Sequence, residues 1–119
     1  MGSSQFCRTS YGKNAQEAFN NASQDALYEK GHQSGYSGDL NSKDGFVLEL
    51  PPAGVALSVW LTALTDEQLP ESLREHTREF ERQFGIYADQ SEPALCFEES
   101  KTTGKSGDNK YIFLGWAPV

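Results

Sequence analysis

Eight residues, Gly31-His32-Gln33-Ser34-Gly35-Tyr36-Ser37-Gly38, bring together a histidine, a tyrosine, two serines and three glycines. Glycine lets the main chain turn sharply or approach another group closely. A neutral histidine near pH 7 can move a proton or donate a hydrogen bond. Asp39 and Lys43 follow within a few residues and add an acceptor and a cation. Backbone amides of a glycine-rich turn can cradle an anion. His32, Ser34, Gly35, Tyr36, Ser37 and Lys43 therefore form a candidate ligand- or partner-binding set. The same residues also have a structural use. His32 can cap the helix before it by bonding free carbonyls, with the glycines turning the chain into the next strand.

No complete catalytic motif accompanies them. Gly35-Tyr36-Ser37-Gly38-Asp39 has Asp39 where a G-x-S-x-G elbow needs glycine, and it follows a helix rather than a strand. Gly104-Lys105-Ser106 suggests a phosphate loop, but Glu99 stands where that loop needs its first glycine, and no helix follows. Cys7 and Cys96 form no C-x-x-C pair, and no Cys/His cluster has zinc spacing. Hence no catalytic residue, metal ligand or cofactor is expected. Each cysteine falls in a predicted strand and reads as a small buried hydrophobe; a disulfide would require those strands to be neighbours. His76, near the apolar face of its helix, reads as a boundary residue, and Trp60 is undecided between core and partner surface.

The elements around the glycine loop follow from periodicity. Gln5 to Tyr11 reads as a strand. Asn14 with Glu17 has capping-box spacing, and Ala15, Ala18, Phe19, Ala22 and Ala26 form one apolar helical stripe ending at Gly31. Tyr36 to Leu40 and Gly45 to Leu50 read as a hairpin closed by Pro51-Pro52. Val55 to Leu64 is read as a short helix. Thr65-Asp66-Glu67-Gln68 suggests a second capping box, opening a helix that carries Leu69, Leu73, Phe80 and Phe84 and closes at Gly85. Ala94 to Glu98 reads as a strand. Tyr111 to Trp116 is apolar on both faces and belongs inside the sheet. The order β-α-β-β-(α)-α-β-β predicts an α+β, two-layer sandwich. It has a mixed or antiparallel sheet of about five strands and two or three helices mainly on one face. Trp116 joins the candidate binding set if the last strand lies beside the first hairpin.

At 119 residues the chain reads as a single domain, 1–119. Its formal net charge of −7 argues against general nucleic-acid binding, which needs a basic face. No apolar run approaches the roughly 18–20 residues that cross a bilayer, and the N-terminus lacks an apolar signal region. No membrane association is expected, and the expected location is cytoplasmic.

Several linked pieces carry a resemblance: Ala15-x-Glu17-Ala18-Phe19, Tyr28-Glu29-x-Gly31-His32, Gly35-Tyr36-Ser37-Gly38, Lys43, Pro93-Ala94-Leu95-Cys96 and Phe113-Leu114-Gly115-Trp116-Ala117. Together they resemble a family of small uncharacterised bacteriophage and bacterial proteins. That family has a Y-E-x-G-H-x-G-Y-[ST]-G-x-I-x-x-K stretch and a C-terminal F-x-G-W-A. Leu40 stands where the family usually has isoleucine. The resemblance implies a phage setting, with the host cytoplasm as location, and carries over no catalytic residue. The expected function is a non-enzymatic acidic binding module that engages, and can inhibit, a host protein. Two alternatives stand beside it: a small-molecule site for a nucleotide or other anion at the Gly31–Gly38 loop, and a structural homo-oligomer such as a homodimer.

Overall fold

Strands that are apolar on both faces need cover on both, and two such strands occupy the centre of this protein. A computed structural model describes residues 3–30, 45–99 and 109–118. The elements are strand β1 (Ser3–Gly12), helix α1 (Ala15–Lys30), strand β2 (Phe46–Glu49), helix α2 (Leu57–Asp66), a 3₁₀ segment (Glu71–His76), helix α3 (Thr77–Ala88), strand β3 (Ala94–Glu99) and strand β4 (Asn109–Pro118). The sheet runs β1-β4-β3-β2. β4 is antiparallel to both neighbours, and β2 lies parallel to β3. The fold class is α+β with a mixed sheet.

Alternate residues of β3 and β4 enter two separate cores. Ala94, Cys96, Tyr111 and Phe113 pack with Phe6, Ala18, Phe19 and Ala22 on the α1 side. Leu95, Phe97, Ile112 and Leu114 pack with Trp60, Leu64, Phe80 and Tyr87 on the α2/α3 side. The helices therefore lie on both faces in three layers, not mainly on one face in two. Recognising Tyr111 to Trp116 as apolar on both sides already implies this, because each face must be kept from water. Four strands are present among the described residues. The expected strand Tyr36 to Leu40, the hairpin it would make and the Gly31 helix stop lie outside them.

α1 begins as its sequence predicts. Asn14 Oδ1 accepts from the Glu17 amide at 2.9 Å, and Glu17 Oε1 accepts from the Lys13 amide at 2.9 Å. Ala18, Ala22 and Ala26 are buried, so the helix axis lies close to the sheet. Phe19 anchors it, with ring centroids 5.2 Å from Phe46 and 5.7 Å from Phe113, distances typical of attractive aromatic pairs.

The segment from 65 to 85 departs from expectation. Thr65 opens no helix; it lies in the last turn of α2, where Oγ1 donates to Leu61 O at 2.9 Å. Glu67 ends α2 in the left-handed region with φ 59°, its amide donating to Leu64 O. Pro70 then breaks the run, and the Leu73 amide donates to Pro70 O at 2.9 Å to start the 3₁₀ segment. Gly85 does not close α3, which continues to Ala88.

The two cysteines cannot pair. Cys7 is opposite Leu114 in β4, and Leu114 is opposite Leu95 in β3. Cys7 therefore shares the α2/α3 face, whereas Cys96 faces α1. Cys96 is buried as expected, and burial pushes its thiol up to about 12. Cys7 is exposed, because the α2/α3 layer leaves that part of β1 uncovered.

Gly115 admits the Phe6 ring from the neighbouring strand. A Cβ at Gly115 would lie 2.7 Å from Phe6 Cζ, too close for any real side chain. Gly115→Ala should lower unfolding stability by about 1–3 kcal/mol, as overpacked cores generally do. Urea denaturation should show the midpoint falling, and pairing the change with Phe6→Leu should recover part of the loss.

Candidate functional site

β2 ends at Glu49, shortly before Pro51-Pro52, which cannot continue the ladder. Beyond it a groove of 530 Å³ opens between the end of β2 and the 3₁₀–α3 junction. The chain from Leu48 to Pro52 lines it together with His76, Glu79 and Arg82. Leu48 is 52% exposed and Leu50 71%. Large apolar side chains in neighbouring exposed positions are characteristic of contact surfaces.

A polar network supports this groove from below. Trp60 is fully buried, and its Nε1 donates to Gln83 Oε1 at 2.6 Å. Gln83, also fully buried, donates through Nε2 to Leu50 O at 3.0 Å and to Glu79 Oε1 at 2.9 Å. Arg82 grips Glu49 with both arms of its guanidinium, at 2.9 and 2.8 Å, and also donates to Glu79. A bidentate arginine–carboxylate pair fixes geometry as well as charge. The hydrogen bond from Arg82 is the main cause holding the Glu79 carboxyl below its ordinary pKa; Gln83 adds to it, against partial desolvation. Hydrogen bonds to Glu49 first, then Glu79, push the Arg82 pKa above its usual value. His76 packs its ring edge-on to Trp60 at 6.5 Å. Two carboxylates against one guanidinium leave the groove wall with a net negative charge. Such a wall can hold apolar side chains and attract a cationic one. Sequence spacing offers little sign of this network, because Glu49 and Arg82 are 33 residues apart. One hint is a polar Gln83 on the helix that carries Phe80 and Phe84.

Trp116 is the one described member of the residue set expected from sequence. It packs against the α2/α3 core, 6.4 Å from the Tyr87 ring. Its Nε1 is buried without a hydrogen-bond partner among the described residues. β4 is separated from β2 by β3, so Trp116 lies opposite Gln5 of β1, away from the groove. Gln5 donates to Thr65 O at 3.3 Å and to the Tyr87 hydroxyl. Tyr87 is buried, which pushes its phenol up to about 12 despite the Gln5 bond. His32, Ser34, Gly35, Tyr36, Ser37 and Lys43 lie outside the described residues. Among the described residues, no group of three or more His, Cys, Asp or Glu is placed to hold a metal, and no helix is long and apolar enough to cross a membrane. Compared with protein-family models, curated proteins and solved structures, the chain matches none.

Gln83→Leu keeps the side-chain size but strips Trp60 Nε1 of its acceptor and Leu50 O of its donor. Leaving buried polar groups unpaired costs about 1–3 kcal/mol. Chemical denaturation should show that loss, with tryptophan fluorescence reporting the changed Trp60 environment.

Proposed function

We propose that this chain is a non-enzymatic acidic binding module whose groove takes an extended segment of a partner protein. Exposed Leu48 and Leu50 beside the rigid Glu49–Arg82–Glu79 wall carry this reading. Apolar residues of the partner rest on the two leucines and on Pro51-Pro52, and a lysine or arginine of the partner meets the acidic wall. The formal net charge of −7 adds long-range attraction for a basic partner and speeds encounter. The resemblance to small phage and bacterial proteins points to a phage-related accessory protein acting in the host cytoplasm. The partner is then a host protein, which binding inhibits.

The test is a quantitative pull-down from bacterial lysate with wild type and the Leu48→Asp/Leu50→Asp double variant. Both positions are exposed, so the fold should persist, as a thermal melt would verify. The expected result is a discrete host protein enriched by wild type and lost, by tenfold or more, with the variant. An identical set of proteins on both would count against the groove.

A further inference from the structure

β1 is the other outer strand among the described residues, and of the usual protections of a sheet edge it carries a single charge, Arg8, opposite Phe113 on the α1 face. Exposed edges are normally blunted by proline, lysine, inward charges or bulges. Ser3–Gly12 contains no proline, no lysine and no carboxylate. Its register with β4 is unbroken over ten residue pairs, so no bulge bends it away. In a chain with 17 acidic residues, this strand is a line along which two copies can meet without opposing carboxylates. Cys7, Thr9 and Tyr11 are exposed on the face that α2 and α3 leave open, so among the described residues no helix obstructs approach from that side.

We propose that two copies of this chain form a symmetric dimer by antiparallel pairing of β1 with β1 about a two-fold axis through Cys7, joining their sheets into one. Directly opposed residues in an antiparallel pair lie on the same face. The axis must therefore pass through a residue rather than between two, and the middle of β1 offers Cys7 or Arg8. An axis at Arg8 sets two guanidiniums opposite each other, which is unfavourable. It also pairs Gln5 with Tyr11, whose carbonyl already accepts from Asn21 Nδ2 at 2.9 Å. An axis at Cys7 opposes Cys7 to its own copy, Gln5 to Thr9, and Phe6 to Arg8. The interface is isologous and closes at two copies.

Sedimentation analysis across a protein concentration series, combined with a short bismaleimide cross-linker under reducing pre-treatment, tests this. Wild type should sediment as a concentration-dependent dimer and yield a covalent dimer. Cys7→Ser should keep the dimer and lose the cross-link, since Cys96 is buried. Cys7→Lys, which opposes two ammonium groups, should weaken association at least tenfold without lowering the monomer's thermal midpoint. Wild type remaining monomeric throughout would overturn the proposal. So would a dimer that Cys7→Lys leaves intact, or one that the linker does not join at Cys7.

Discussion

β3 and β4 are buried on both faces, and the placement of the other elements follows from that. Leu95 and Leu114 cannot face water on one side, nor Cys96 and Phe113 on the other. The hydrophobic cost of exposing either set exceeds what propensity or capping contributes elsewhere. α1 therefore lies on one side, held by an alanine stripe and the Phe19–Phe46–Phe113 cluster. α2 and α3 lie on the other, with an aromatic chain from Trp60 through Phe80, Phe84 and Tyr87 to Trp116. Among the described residues β1 and β2 fall to the outside of the sheet.

The groove depends on this arrangement. β2 is parallel to β3, so its C-terminal end emerges beside α3, where Arg82 reaches Glu49. Gln83 joins the deepest ring of the second core to the backbone at Leu50. A shift of α3 would break hydrogen bonds to Trp60, Leu50 and Glu49 together. The wall is thus rigid, while Leu48, on the α1 face of β2, and Leu50 after the strand remain exposed. A preformed surface of that kind loses little ordering entropy on binding.

Much of the fold was legible in the sequence where one local signal dominated. Asn14 and Glu17 capped α1, residues that favour extension marked β1, period-two alternation marked β2, and a doubly apolar run placed β4 inside the sheet. The reading failed where two local signals competed. Thr65-Asp66-Glu67-Gln68 looks like a helix start, but the apolar face of the preceding helix continued through it, and Pro70 decided where the next one began. The layer count failed because the double-sided character of the last strand was not carried through to the helices. The site was less legible. A bidentate Glu49–Arg82 pair and a Trp60–Gln83 bond join residues distant in sequence, and no spacing rule connects them. The glycine-rich loop stands out because its composition is visible locally, whereas a groove arises only from tertiary packing.

The most direct test places a photo-cross-linking amino acid at position 50, in the groove, and at Tyr28, which is 90% exposed on α1, as a control. The account predicts that irradiation in bacterial lysate joins position 50, and not position 28, to a single protein. Equal labelling from both positions, or none from position 50, would contradict it.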